Sequence, residues 1–162
     1  MEEEIEIAKQ LMMGLLERIG IDKEVEGFLK EGDLYLEIKG DREGILIGRH
    51  GQTLDALQML ISRMVNKKLK RPLKVVLDID DYRKRRADIL TKMAFRIGEK
   101  AKRTGHVLTI GPFNAQDRRI IHIALKEDPS IRTESLGEGD IKKITIIPNK
   151  KEGGRNDSFA QS

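Results

Sequence analysis

The sequence predicts a mixed α+β protein built from two small units in tandem. Apolar residues recur at helical spacing in some segments and alternate in others, and turn-forming residues separate these segments. The predicted order of elements over residues 1–80 is α-β-β-α-α-β. Residues 81–148 follow as a small α/β unit with a three-stranded sheet, and residues 149–162 as a disordered tail without periodicity.

The first unit opens with a helix and a hairpin. Over residues 3–19 the apolar residues fall on one helical face, and the acids of the first turn suit the positive end of the helix dipole. Residues 22–28 and 33–39 alternate as strands, and the turn between them occupies residues 30–33.

Two further helices and a third strand complete the first unit. We expect a short helix over residues 41–47, then the tetrapeptide Gly-Arg-His-Gly, then an amphipathic helix over 52–66 that stops before Pro72. Residues 73–79 alternate as a strand whose apolar side chains share one face.

The second unit begins with a long helix over residues 82–103. Asp80 and Asp81 are placed to cap this helix, and Gly105 is placed to end it. The other predicted elements are a strand over 107–110, a turn over 111–113, a helix over 115–127 capped by Asn114, and strands over 131–135 and 141–147.

Composition excludes several classes of protein. The chain has no cysteine, which rules out a disulfide scaffold and a thiolate metal site. Its apolar runs are shorter than the roughly 20 residues that span a bilayer, and its acidic start does not resemble a secretory signal. We therefore expect a cytoplasmic protein that makes no stable membrane insertion.

Charge is unevenly distributed along the chain. Residues 1–47 carry 13 acidic and 6 basic residues, a net charge of −7, whereas residues 67–103 carry 14 basic and 5 acidic residues, a net charge of +9. A basic block of this kind is typical of a protein that binds a polyanion, although a solvated helix face gives the same pattern.

The tetrapeptide at residues 48–51 is the first candidate site. Gly48 and Gly51 have no side chains to keep a phosphate away, the following helix offers backbone N–H groups, and Arg49 adds a positive charge. His50 is a candidate for a backbone or base contact. A plain helix–helix turn is the alternative. A nucleotide P-loop is excluded, because its spacing and its Lys-Ser/Thr ending are missing.

The element order and this tetrapeptide together resemble a KH domain of the bacterial, type II arrangement. In that family a Gly-x-x-Gly loop clamps the backbone of about four nucleotides. The resemblance also implies an apolar groove between the helix pair and the last strand. Its candidate lining residues are Ile45, Ile47, Leu54 and either Val75 or Val76.

A second candidate site lies on the helix predicted after Asn114. Asn114, Arg118 and His122 are four residues apart, so they fall on one helical face. Arg118 can pair with a phosphate or stack on a base, and His122 can donate to a phosphate. Arg119 points to another face, as a structural residue or a phosphate contact. The alternative is an internal brace, in which Arg118 reaches Asp117 or Glu134 and His122 is satisfied in the small core between sheet and helix.

Arg-x-x-x-His is the signature of the R-three-H domain, a binder of single-stranded nucleic acid. With the preceding KH-like unit, residues 1–148 resemble the bacterial Jag (SpoIIIJ-associated, KhpB) family. The resemblance implies RNA-level regulation of cell elongation and division, and pairing with a small stand-alone KH protein. Many members carry a further N-terminal domain, whose role is in doubt for a chain that starts at the KH helix.

The basic run at residues 82–90 adds Arg83 and Arg86 as candidate phosphate contacts one turn apart. Only six aromatic residues are present, so a broad stacking platform of the RRM or OB type is not expected. We therefore expect binding of single-stranded RNA, or alternatively single-stranded DNA, that depends on phosphate contacts and has modest base selectivity.

The strongest case for an enzyme is the acidic cluster formed by Asp78, Asp80 and Asp81, which could hold Mg²⁺ in a nuclease. No further carboxylate or histidine converges on it in the sequence. We therefore expect a binding protein without catalytic residues, metal or cofactor, with a protein-interaction adaptor as an alternative.

Overall fold

The computed structural model describes residues 1–149 and divides the chain into two units after Arg85. The first unit contains α1 (Glu2–Arg18), β1 (Val25–Lys30), β2 (Asp33–Ile38), a 3₁₀ turn (Arg49–Gly51), α2 (Gln52–Leu69) and β3 (Val75–Ile79). Then follow α3 (Tyr82–Thr104), β4 (Leu108–Phe113), α4 (Ala115–Leu125), β5 (Ile131–Leu136) and β6 (Lys142–Pro148). The division lies five residues beyond the predicted boundary at residue 80.

The first unit is a three-stranded sheet with two helices on one face. β1 and β2 form an antiparallel hairpin through a turn at Glu31 and Gly32, both at positive φ, and β3 pairs with β2 in parallel. Because side chains alternate along each strand, the inward set meets α1 and α2. The fully buried side chains of this core are those of Ala8, Met12, Leu34, Leu36, Ile38, Leu54, Ile61, Val65, Leu77 and Ile79.

The predicted mixed α+β class and the three-stranded sheet of the second unit are confirmed, but the helix expected over residues 41–47 is wrong. Turns occupy this segment, and Gly40 and Gly44 lie at φ of 85° and 69°. The carboxylate of Asp41 accepts hydrogen bonds from the N–H groups of Leu46 and Ile47, at 3.1 and 2.9 Å. A side chain therefore satisfies backbone groups that a helix would have paired internally.

A polar stripe on α2 covers the outer edge of β3. Its members, Gln58, Ser62 and Asn66, lie one helical turn apart. Asn66 Oδ1 accepts from the N–H of Leu73 at 2.9 Å, and Gln58 Oε1 accepts from the N–H of Leu77 at 3.0 Å. These side chains satisfy the edge groups that would otherwise be open to pairing with another strand.

The second unit packs α3 and α4 against an antiparallel sheet of order β4-β6-β5. Its buried core contains Leu90, Ala94, Ala101, Phe113, Ile121, Leu125, Ile131, Ile144 and Ile146. The predicted turn over residues 111–113 is wrong, because β4 continues to Phe113 with a register shift after Ile110. Pro112 is tolerated there because β4 is an edge strand.

The start of α3 also differs from the prediction. Asp80 and Asp81 both lie at positive φ, 51° and 53°, and not in the extended conformation of a capping residue. Asp78 instead accepts a hydrogen bond from the N–H of Arg83 at 3.3 Å. At α4 the predicted cap is confirmed, because Asn114 Oδ1 accepts from the N–H of Asp117 at 2.8 Å.

Within residues 1–149, no helix is long and apolar enough to cross a membrane. The predicted tail begins at Asn149, whose N–H donates to Ser130 O at 2.8 Å and whose side-chain amide donates to Pro129 O at 2.6 Å. Residues 150–162 of that tail lie outside the described residues, so its predicted disorder stays a prediction.

Candidate nucleic-acid interface

Gly48 begins the candidate loop in a conformation that only glycine adopts readily. Its backbone lies at φ 71° and ψ −175°. A Cβ at this position would come within 2.1 Å of Thr53 Oγ1 and 2.9 Å of the Thr53 backbone nitrogen. Gly48 is therefore required for the loop to close onto the first turn of α2.

At the second glycine of the loop, a neighbouring tyrosine leaves no room for a side chain. Gly51 lies at φ 80°, and a Cβ there would come within 2.7 Å of Tyr82 Cε1. Between the glycines, His50 lies in the left-handed region at φ 54° and ψ 27°. A histidine in this region is uncommon, and such positions cluster at ligand sites. The backbone of the loop is therefore shaped by its surroundings.

Arg49 and His50 are both exposed. Among residues 1–149, neither side chain takes part in a hydrogen bond or ion pair. α2 starts directly after Gly51, and no side chain caps its N-terminus. The positive end of the helix and the charge of Arg49, three residues before Gln52, both favour an anion.

Asp80 holds the chain that leads into the loop. Its carboxylate accepts from the N–H groups of Gly40 and Asp41, at 2.8 and 2.9 Å. The hydrogen bond from Gly40 is the main reason that the pKa of Asp80 lies below its usual range. Asp80 is therefore engaged with the backbone, and residues 1–149 contain no group of three or more acidic or histidine side chains that could hold a metal ion.

Only some of the residues predicted to line an apolar groove are accessible in the structure. Leu54 and Val75 are buried in the core of the first unit, so they do not line an open groove. Ile47 and Val76 are partly buried. Ile45 is 56% exposed and lies just before the loop, where it is the most accessible apolar side chain of the predicted set.

Arg83 is engaged inside the first unit. Its Nε donates to Leu77 O at 3.2 Å, and its terminal nitrogens donate to Asp55 Oδ1 at 3.3 Å and Gln58 Oε1 at 3.0 Å. These contacts connect the first turn of α3 to α2 and to the edge of β3. They favour a structural role for Arg83 over a contact to phosphate.

Arg86 is also committed to the fold. It forms an ion pair with Asp117 on α4, with 2.7 Å between Nη2 and Oδ2. The Asp117 side chain is 5% exposed and that of Arg86 is 19% exposed. A carboxylate buried to this extent needs its partner, so the predicted phosphate contact at Arg86 would break a structural pair.

Arg118 forms an internal brace, although not to the acidic partners considered from the sequence. Its Nη1 donates to Phe113 O at 3.1 Å and to Asp140 O at 2.8 Å. Both acceptors are backbone carbonyls, and Asp140 lies in the connection between β5 and β6. Arg118 thus ties that connection to the start of α4. Arg119, its neighbour, is exposed.

His122 contacts two hydroxyl groups of β5. Its Nδ1 lies 2.5 Å from Thr133 Oγ1 and its Nε2 lies 3.1 Å from Ser135 Oγ. Burial, followed by the positive charge of Arg118, lowers the pKa of His122 below its usual value. The imidazole is therefore mainly neutral at pH 7, which makes it a hydrogen-bonding group and not a fixed cation.

The structure adds two cationic residues that the sequence interpretation missed. A surface pocket of about 330 Å³ lies between α4 and β5, and His122, Lys126, Arg132 and Thr133 are among its lining residues. Lys126 follows His122 by one helical turn, so helical spacing could have identified it. Arg132 is brought to the pocket by the pairing of strands and carries no such signal.

Comparison with known proteins divides the chain in the same way. A family model described as the KH domain of KhpA/KhpB matches residues 5–79. A model described as the R-three-H domain matches residues 88–148. The GRHG loop and the Arg118/His122 pair therefore each lie within one matched domain.

Similar proteins include the RNA-binding protein KhpB of Clostridium symbiosum, which is 41% identical over 138 residues, covering 85% of this chain and 62% of that protein. The RNA-binding protein KhpB of Bacillus subtilis is 28% identical over 144 residues, covering 88% and 69%. For that of Lactiplantibacillus plantarum the values are 28% over 141 residues, 86% and 43%. The chain thus spans between 43% and 69% of the length of these relatives.

Proposed function

This chain belongs to the KhpB family, in which a KH domain precedes an R-three-H domain, and we propose that it binds single-stranded RNA. Its relatives are named RNA-binding proteins. The observation that carries the proposal is the GRHG loop, where Arg49 and His50 are exposed on a backbone that two glycines shape.

In the first unit, the loop holds the RNA backbone. A phosphate approaches Gly48 and Gly51, which present no Cβ, and meets the N-terminus of α2 and the charge of Arg49. His50 lies at the tip of the loop and contacts the neighbouring sugar or base. The loop is formed before RNA arrives, so binding does not have to order it.

In the second unit, Arg118 and His122 form the other contact surface on α4, and Arg119 lies on the adjoining face. Asn114 positions that helix as its cap. Arg119 contributes an exposed positive charge. Arg118 and His122 already have partners, so RNA must replace or share them. A phosphate oxygen accepts from Arg118 in place of a carbonyl, which the charge of the phosphate makes favourable.

The proposal is tested by fluorescence anisotropy with a short labelled single-stranded RNA. We expect Arg49→Asp/His50→Asp to weaken binding by about tenfold or more at low salt, because it reverses the charge at the clamp. The thermal melting curve is expected to stay nearly unchanged, since neither side chain has an internal partner among residues 1–149.

The matched control is Lys67→Asp/Lys68→Gln, which changes the formal charge by the same −3 at the other end of α2, about 22 Å along the helix. An equal loss of affinity in both variants would assign binding to general charge and not to the loop. Absence of salt-dependent binding by the unmodified protein would refute the proposed function.

A competition series with DNA of the same sequence separates RNA from single-stranded DNA as the preferred ligand. Action in the cytoplasm, regulation of cell elongation and division, and pairing with a small stand-alone KH protein are further proposals that rest on the family resemblance. A protein-interaction adaptor without RNA affinity is the alternative that the anisotropy measurement would favour if binding is absent.

A further inference from the structure

The two faces of α3 differ sharply in their surroundings. Leu90, Ala94, Gly98 and Ala101 are buried in the core of the second unit. The opposite face carries four cations, here called the α3 stripe: Lys92, Arg96, Lys100 and Arg103. All four are exposed.

Helical geometry aligns the α3 stripe. At about 100° per residue, Arg96 and Arg103 lie roughly 40° and 20° around the axis from Lys92, and Lys100 lies roughly 80° away. Lys92 and Arg103 are separated by about 16 Å along the axis. This forms a narrow positive track and not a cluster at one point.

The cations of the α3 stripe are available to a ligand. Within the described part of the chain, none of their head groups takes part in a hydrogen bond or ion pair. Two acids lie close to the stripe. Glu99 is only about 20° around the axis from Lys92 and so lies within the stripe, but its carboxylate pairs with Lys102 at 2.5 Å. Asp88 lies one turn before Lys92. Within residues 1–149, Asp88 has no cationic partner, and the four cations of the stripe outnumber it.

An exposed aromatic ring lies beside the track. Phe95 precedes Arg96 and is 52% exposed, although a phenylalanine in a helix is usually buried. A nucleobase can stack on such a ring while its phosphates follow the neighbouring cations. Phosphate contacts alone would not require this side chain to be exposed.

We propose that the α3 stripe is an additional single-stranded RNA track, in which Lys92, Arg96, Lys100 and Arg103 contact successive phosphates and a base stacks on Phe95. This inference rests on the proposed function. An anionic membrane surface fits less well, because a helix that lies on a bilayer needs a free apolar face, and that of α3 is buried within its own unit.

The first test measures the dependence of RNA affinity on salt. For single strands, each phosphate contact contributes about 0.7 to the slope of log K against log salt. We expect Lys92→Gln/Arg96→Gln/Arg103→Gln to reduce this slope by about 2. The control, Lys67→Gln/Lys68→Gln/Lys70→Gln, removes three exposed cations of the first unit and is expected to change the slope much less.

If the unmodified protein binds RNA and the stripe variant shows the same slope, the additional track is refuted while the proposed function stands. If the unmodified protein does not bind, both fail. If the control variant reduces the slope of log K against log salt as much as the stripe variant does, the salt dependence comes from the overall charge of the protein. The assignment of a track to α3 is then overturned.

The second test uses Phe95→Trp. The natural sequence contains no tryptophan, so this variant reports from one known position. We expect its fluorescence to be quenched saturably by single-stranded RNA, as a base stacks on the indole. No response to RNA under conditions where anisotropy shows binding would overturn the stacking contact. If the fluorescence of this variant shifts to the blue with anionic phosphatidylserine vesicles and is not quenched by RNA, the ligand of the α3 stripe is a membrane surface and not RNA.

Discussion

Two parts of the molecule each combine an arginine with a histidine, and they prepare these side chains in opposite ways. In the GRHG loop, Arg49 and His50 project from a preformed backbone and have no partner among residues 1–149. On α4, Arg118 donates to two carbonyl oxygens and His122 lies between two hydroxyl groups.

The difference shows that the same pair of residue types can be left exposed or be engaged within the fold. The loop keeps its cation available because Gly48 and Gly51, not Arg49, determine its shape. The second unit has a smaller core, and there Arg118 is engaged in holding the connection between β5 and β6. Changes in the α4 motif are therefore expected to affect stability and binding together, and changes at Arg49 and His50 to affect binding alone.

The largest expected effect is on the ion pair of the second unit. Arg86→Ala leaves the carboxylate of Asp117 buried without its partner, which typically costs about 3–5 kcal/mol of unfolding free energy. Amide hydrogen exchange in α4 measures this loss within the second unit. Lys92→Ala, on the exposed face of the same helix, is the control and is expected to cost less than about 0.5 kcal/mol. A cost below about 1 kcal/mol for Arg86→Ala would mean that water replaces the pair.

The next effect tests whether the loop backbone is as constrained as its geometry indicates. Gly48→Ala combines a backbone conformation that alanine avoids with a clash against Thr53, and we expect a loss of about 2–3 kcal/mol. Gly20→Ala is the control, because Gly20 also has positive φ, at 78°, but no atom within 4 Å of an added Cβ. Urea unfolding of the first unit compares them. Equal losses of unfolding free energy in the two variants would mean that positive φ, and not the clash with Thr53, accounts for the whole effect.

Much of this architecture could be predicted from the sequence. Long helices such as α1 and α3 follow from apolar periodicity, and Asn114 is recognisable as a cap because capping depends on local spacing. The two motifs and their order are recognisable for the same reason. Residues 41–47 are not, because the carboxylate of Asp80 holds the N–H of Asp41, and the carboxylate of Asp41 holds that of Ile47, in place of helical hydrogen bonds.

The candidate sites are harder to predict than the fold, since a basic side chain looks the same in sequence whether it is exposed or paired. The sequence predicts phosphate contacts for Arg83 and Arg86. In the structure, Arg83 contacts Asp55, 28 residues away in sequence, and Arg86 contacts Asp117, 31 residues away. Only tertiary structure brings such pairs together. Whether the predicted site residues contact RNA stays a prediction.

A smaller effect is expected from the brace on α4. Arg118→Ala removes two hydrogen bonds from a charged donor to Phe113 O and Asp140 O, and we expect a loss of about 1.5 kcal/mol because the site is partly exposed. Hydrogen exchange around residues 137–141 measures it. Arg119→Ala, at an exposed neighbouring position, is the control and is expected to leave stability unchanged. If Arg118→Ala weakens RNA binding without affecting exchange, the brace is not structural, and the contrast with the loop disappears.

The smallest expected effect is the dependence of stability on pH at His122. Because burial and Arg118 lower its pKa in the folded protein, the unfolded chain takes up a proton first as the pH falls. The contribution of the neutral imidazole is therefore fully present above the unfolded pKa of about 6.5 and is lost as the pH falls through the folded pKa. The unfolding free energy of the second unit should therefore decrease as the pH is lowered from 7.5 to 5. His122→Gln should make this decrease smaller. Phosphate contact in an RNA complex would favour the protonated form, so bound RNA should raise the pKa of His122, as followed by its ring proton resonances. An unchanged pKa in the complex would mean that His122 serves the fold alone, which would make the difference between the two motifs complete.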